Sequence, residues 1–257
     1  MPRQDLAASL DFGVDSALLI PPARDTSRAL LAPLHYEPNY GYPLLVWLHG
    51  PGSDERQLMR IMPVVSMRNY VAVAPRGLPV AAGGGKETWG WSQSVEHVRE
   101  AEQRIFECIE DAEQRFHVSP SRMFLAGVDC GGTMAFRVAM SHPARFAGVL
   151  SLGGCFPQGQ KPFGQWTEAR RLAVFLAAGR DSDEYPADKA CDDLRLLHSA
   201  GMSVITFRQY ASLQQCSSRR ELAPQVLRDV DRWIIEQVTS PVDSGVSSGR
   251  RSSCPSD

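Results

Sequence analysis

Six short apolar runs, separated by stretches of helical periodicity, constrain this chain more than any other feature. They are PLLVWL at 43–48, YVAVAP at 70–75, RMFLAG at 122–127, AGVLSL at 147–152, LAVFLAA at 172–178 and SVITFR at 203–208. Runs this short, bounded by Gly or Pro and lacking polar alternation, fit strands covered on both faces, as a parallel sheet requires. Between them, Val95, Val98, Ala101, Ile105, Ile109 and Ala112 recur at steps of three or four from Ser94 to Phe116, marking one apolar helix face. Segments 131–141, 187–200 and 221–238 also read as helices. Alternating strand and helix imply right-handed βαβ units, hence an α/β fold with a mostly parallel central sheet flanked by helices. Residues 16–36 are expected to add one or two antiparallel edge strands.

Size and charge narrow the class. At 257 residues, one α/β domain accounts for the chain. The expected division is an extension over 1–27, the domain over 28–238, and a disordered tail over 239–257, which is rich in Ser, Gly and Pro. A formal net charge of -2, with no basic stripe, gives no expectation of nucleic-acid binding. No apolar run reaches the length of a membrane span. The first fifteen residues carry acids and no apolar stretch with a cleavage site, so no secretory leader is expected. Six scattered cysteines without metal-type spacing read as reduced thiols, and a cytoplasmic location is expected.

The segment Gly127-Val128-Asp129-Cys130-Gly131-Gly132 lies between a strand and a helix. It fits a nucleophile elbow, G-x-Nuc-x-G, whose turn is so tight that only small residues fit two places either side of the central one. Gly127 and Gly131 centre the motif on Asp129. Centring on Cys130 puts Val128 at a glycine position, so Cys130 is the poorer nucleophile. A glycine-rich turn without chemistry is the bland alternative.

Together with His49-Gly50-Pro51-Gly52 after a strand, Ala74-Pro75-Arg76-Gly77, and Gly179 through Pro186 after a late strand, this elbow resembles the phospholipase/carboxylesterase branch of the α/β-hydrolases. That branch includes the acyl-protein thioesterases and is related to dienelactone hydrolases. The resemblance covers roughly residues 30–238. It implies an esterase or thioesterase using Ser, His and Asp, with no metal, no cofactor and, here, no cap domain.

The chain departs from that pattern at the residues that matter. Asp129 stands where the serine belongs, and a carboxylate cannot form the usual acyl-serine ester. Aspartate nucleophiles occur in haloalkane dehalogenases and epoxide hydrolases, which this chain resembles only at the elbow. The resemblance places the base in the loop after the last strand, yet Ala211 to Glu221 holds no histidine. A general base contributes about 10²–10⁴-fold. His97, in the first turn of a helix on the correct side, is the weak substitute; a surface histidine is the plainer reading. The resemblance maps the oxyanion donors onto Pro51, after Gly50, and Cys130, before Gly131, and proline has no N–H. For the acid, Asp181 comes first and Asp183 second, with a solvated acidic turn as the alternative. Trp89 and Trp91 are either a pocket wall or core anchors. Two functions follow as expectations. One is a catalytically impaired homologue that binds a small ester-like ligand or a protein partner through the former pocket. The other is a hydrolase acting on esters or related substrates with Asp129 as nucleophile.

Overall fold

The structure, a computed structural model, describes residues 28–82, 86–158, 166–180, 182–216 and 221–239. The extension over 1–27, Asp181 and the predicted tail from residue 240 on lie outside the described residues; Thr239, assigned to that tail, is the last residue of a helix. In chain order the elements are β1 (Arg28–Leu31), β2 (Tyr42–Leu48), α1 (Gln57–Val65), β3 (Val71–Pro75), β4 (Leu78–Ala82) and β5 (Lys86–Gly90). There follow α2 (Val95–Arg115), β6 (Val118–Val128), α3 (Cys130–Ser141), β7 (Gly148–Leu152), α4 (Trp166–Ala169) and β8 (Ala173–Gly179). The chain continues through α5 (Ala187–Ser199), β9 (Ile205–Tyr210), β10 (Gln214–Cys216), β11 (Glu221–Leu222) and α6 (Pro224–Thr239).

Seven strands make one sheet in the order β1-β3-β2-β6-β7-β8-β9. Every neighbouring pair is parallel except β1 with β3, which is antiparallel. The apolar runs are the sheet: β2, β3, β7 and β8 are buried at every position. Alternate side chains feed two cores. Leu44, Val46, Leu125, Val149 and Val174 face α2 and α3, whereas Leu45, Trp47, Phe124, Leu150 and Phe175 face α1 and α6. A strand with helices on both sides has no polar face to show, which is why its sequence does not alternate.

Three expectations need correction. The six apolar runs predict no strand between Gly77 and Trp91, yet that segment contains the antiparallel pair β4 and β5, joined from Leu78↔Gly90 to Ala82↔Lys86. Residues 221–222, read as the start of a helix, form β11 against β10, and α6 begins only at Pro224, where proline's fixed φ suits a first helical position. Val95, counted on the inward face of α2, is 70% exposed, while Ala101, Ile105, Cys108, Ile109 and Ala112 are buried. The inward apolar stripe of α2 therefore begins a turn later than its sequence period suggests. The edge strand expected within 16–36 is β1; the remainder of that stretch up to residue 27 lies outside the described residues.

Candidate functional site

β2, β6 and β7 end side by side, and the chain turns over that edge at His49-Gly50-Pro51, at Asp129 and at Gly153-Gly154. Asp129 sits between β6 and α3 with φ 49° and ψ -117°, a conformation that costs a non-glycine residue about 1–3 kcal/mol. The fold holds it there by its backbone: its N–H donates to the Leu152 carbonyl at 2.9 Å, and its carbonyl accepts the Thr133 N–H at 3.1 Å. The glycines are spatial necessities. A Cβ on Gly127 would lie 2.3 Å from the carbonyl carbon of Gly131, and one on Gly131 would lie 2.6 Å from the Leu48 carbonyl oxygen. Two glycines that the motif does not include matter as much. A Cβ on Gly154 would come within 2.2 Å of the Asp129 carbonyl oxygen, and one on Gly153 (φ 83°) within 2.5 Å of Oδ1. The other carboxylate oxygen, Oδ2, lies 3.9 Å from the Cβ position of Gly50. The Asp129 side chain is therefore slotted between Gly50 and Gly153.

It opens into a cleft of about 1230 Å³ between α1, the β4–β5 pair and the start of α6. Gly50, Pro51, Asp129, Cys130 and Trp91 line it, and Met59, Val64, Val80, Leu222 and Leu227 give it apolar walls. Trp91 is buried, and its indole N–H donates to the His49 carbonyl at 2.9 Å. Trp89 is not part of this lining; its ring lies 5.1 Å from the Arg76 guanidinium carbon, and its carbonyl accepts the Gly52 N–H. Of the two tryptophans, Trp91 is both wall and anchor, and Trp89 braces the turn from behind.

His49 is wholly engaged. Its Nδ1–H donates to the Gly50 carbonyl at 2.9 Å while Nε2 accepts the Gly77 N–H at 2.9 Å, which fixes one tautomer. Burial lowers its pKa, so the ring is neutral. It holds the turn and has no nitrogen to offer a reaction. His97 is held by the cap of its own helix: Ser94, the N-cap of α2, accepts the His97 backbone N–H through Oγ, which also lies 3.0 Å from His97 Nδ1. Among the described residues, no histidine lines the cleft. Two further histidines are engaged elsewhere, His117 near the Pro38 carbonyl and His142 against Glu102 at 2.7 Å. After β9, the place where the family resemblance calls for a base, the buried Leu213 packs instead, its Cδ1 lying 3.0 Å from the Cβ position of Gly153.

Burial raises the Cys130 pKa, with the nearby Asp129 charge adding to it. The thiol stays protonated and is a weak nucleophile. Asp183 is exposed. Beside it, Ser182 accepts the Tyr185 N–H at 3.1 Å, as in an ordinary helix-entry turn. A carboxylate the sequence reading passed over is more deeply placed: Asp193 Oδ2, on α5, accepts the Phe156 N–H at 2.7 Å and the Tyr185 hydroxyl at 3.0 Å. It ties the turns after β7 and β8 to α5. Its one sequence signal was an acid on the helix face that carries Ala190 and Leu197, both buried. Among the described residues, no group of three His, Cys, Asp or Glu side chains converges to hold a metal.

A mostly parallel seven-stranded sheet, a strained strand-to-helix elbow at the carboxyl edge and no cap domain among the described residues define an α/β-hydrolase. More particularly, residues 40–224 match the Phospholipase/Carboxylesterase family, and the chain belongs to it. A protein of Oryza sativa subsp. japonica described as a probable carboxylesterase is 26% identical over 160 residues, 54% of this chain and 67% of its own length. A protein of Nocardia uniformis subsp. tsuyamanensis described as the putative esterase NocK is 28% identical over 121 residues, which span 46% of this chain but only 34% of NocK. Among solved structures, Arabidopsis thaliana SOBER1 superposes with a TM-score of 0.63 at 19% identity, over 77% of this chain and all (100%) of that one. Zea mays acyl-protein thioesterase 2 gives 0.62 at 16% identity, over 83% and 100%. At these identities the structures establish a common fold.

Proposed function

We propose that this protein is a catalytically impaired member of its family that binds a small ester-like molecule in the cleft at Asp129 and does not turn it over as a serine esterase does. One observation carries the reading: a carboxylate occupies the tip of the elbow, and no histidine among the described residues lines the cleft in front of it. A serine esterase needs a hydroxyl, a base that takes its proton, and donors for the oxyanion. Here the hydroxyl is an acid, and His49, the nearest histidine in sequence to the cleft floor, has both nitrogens engaged. Pro51 supplies no N–H at the first oxyanion position. Loss of one such donor costs about 10²–10³ in rate.

The test is an assay on short-chain aryl esters and thioesters with the wild-type chain, paired with ligand binding. We expect turnover no faster than that of Asp129→Asn, with binding retained. Turnover in the ordinary range of about 1–10³ s⁻¹, abolished in Asp129→Asn, overturns the reading. The alternative use of the same residue, attack by the Asp129 carboxylate on an alkyl carbon, is checked by incubation with an epoxide or haloalkane. Mass spectrometry of the peptide containing Asp129 is expected to show no added mass.

A further inference from the structure

We infer that β9 is an interface: two copies of this chain join their sheets through it, the strands running antiparallel about a two-fold axis at Phe207. The inference is independent of what the cleft holds. It starts from the hydrogen bonds of the last strand in the sheet order, which has a neighbour, β8, on one side only. The Val174 N–H donates to the Val204 carbonyl at 2.8 Å and the Arg180 N–H to the Tyr210 carbonyl at 2.8 Å, and the register between them runs unbroken. A strand turns its backbone groups to alternate sides, so residues 204, 206, 208 and 210 bond to β8. Ile205, Phe207 and Gln209 therefore turn N–H and C=O outward, and among the described residues nothing bonds to those groups. An open row of that kind is a template for another strand, and proteins blunt it with proline, a bulge or several charges. Residues 203–210 hold no proline and one charge, Arg208, and β9 meets β8 without a bulge.

A second copy suits this edge because the edge complements itself. With the axis at Phe207, that residue faces its own counterpart, and Ile205 faces the second copy's Gln209. Facing residues of this kind exchange both of their backbone bonds, so every outward N–H meets an outward carbonyl. Arg208 then faces Thr206. Moving the axis to Arg208 would set two guanidinium groups opposite one another, which disfavours pairing. Moving it to Thr206 would leave the backbone groups of Gln209 without a partner. The faces of the strand are already closed and need no rearrangement. On one side Thr206 accepts the Trp233 indole N–H and the Tyr210 hydroxyl donates to Asp229 Oδ2 at 2.8 Å, both from α6. On the other, Ile205 and Phe207 pack on the core that faces α2 and α3. Val204, exposed though apolar at the foot of the strand, comes to lie beside the second copy's Tyr210.

The experiment uses the full wild-type chain in two measurements. Sedimentation equilibrium from about 1 µM to about 1 mM is expected to show monomer and dimer with a Kd on the order of 10–100 µM, since one strand pair is smaller than a permanent dimer interface. Amide hydrogen exchange read by NMR is expected to quicken about fivefold at Ile205, Phe207 and Gln209 as the dimer is diluted, with no change at Thr206, Arg208 and Tyr210. Gln209→Pro removes one outward donor and leaves the bonds to β8 untouched, so it is expected to fold and to stay monomeric. Should that variant fail to fold, the exchange pattern of the wild type decides alone. A monomer at every concentration overturns the inference: fast outward amides then leave the edge to a strand of another protein, and protected ones mean that a segment of the same chain covers it. A dimer that gives no added protection at Ile205, Phe207 and Gln209, or that persists in folded Gln209→Pro, forms through another surface and overturns it as well.

Discussion

Aspartate rarely takes the φ of 49° seen at residue 129, and the turn that holds it there closes only because glycines at 127, 131, 153 and 154 leave the space it needs. Their removal is therefore expected to hurt in graded ways. Gly127→Ala drives a methyl to 2.3 Å from the backbone of Gly131, where nothing yields without opening the turn. Gly153→Ala meets a side-chain oxygen at 2.5 Å and an unfavourable φ of 83°, and the carboxylate can swing aside. Urea denaturation should show a loss of about 1–3 kcal/mol for Gly153→Ala and a larger one for Gly127→Ala. A second expectation concerns chemistry at the same residue. Asp129→Ser restores the hydroxyl but not its base, since Leu213 packs where a histidine would have to reach. Aryl-ester turnover by Asp129→Ser is expected to stay at the wild-type level, and a gain of about a hundredfold or more would mean that a base is at hand after all.

At the scale of elements, the turn after β2 and the turn after β3 are held together by titratable groups that pull stability in the same direction. His49 Nε2 accepts from Gly77, and Arg76 forms a two-pronged pair with Glu55 at 2.7 and 2.5 Å. Arg104 on α2 reaches the Arg76 and Gly77 carbonyls from the other side. Burial lowers the His49 pKa below 6.5, so on acidification the unfolded chain takes up a proton that the folded one refuses. Stability is then lost as pH falls below about 6.5. For Glu55, burial alone pushes the carboxyl up, but the Arg76 guanidinium outweighs it and the pKa ends below 4.5. Its contribution is present above that value and fades as pH drops through the folded pKa. Thermal melting between pH 7 and pH 4 should show a midpoint that declines throughout. Glu55→Gln should lower the midpoint at pH 7, flatten the acid end of the profile and leave the decline near pH 6 intact.

For the whole molecule, the two cores on either side of the sheet depend on its being roofed at both faces. Trp233 of α6 illustrates the coupling: it packs edge-on to Phe124 of β6 and tilted against Phe175 of β8, and its indole N–H donates to Thr206 of β9 at 3.1 Å. A Cβ on Gly148 would lie 2.7 Å from its ring, so β7 needs a glycine beneath it. Trp233→Ala is expected to cost about 3–5 kcal/mol in denaturant unfolding, the range for emptying a large aromatic site.

The sequence by itself determined the class of fold and the position of the elbow, because both are written in local terms. Continuous apolar runs mark strands buried on two faces, and G-x-D-x-G marks a turn too tight for side chains. It also determined that the serine was gone and that no histidine follows the last sheet strand, since those are matters of identity. The elements it left out are those whose signal is weak or non-local. α1 is preceded by Arg56, which gives it no side-chain cap, and carries Pro63 within it, so neither its beginning nor its interior announces a helix, although Leu58, Ile61, Met62 and Val65 are buried along it. The β4–β5 pair is hidden by its Gly-rich setting. Only the tertiary structure decided the environment of Asp129. Gly50 and Gly153 come from other loops, some 80 and 20 residues away, roughly, and bracket its carboxylate because β2 and β7 flank β6 in the sheet. The same packing decided that the N–H groups at the cleft floor face inward to Gln57 and Trp89, for hydrogen-bond partners distant in sequence become visible only when the chain brings them within reach.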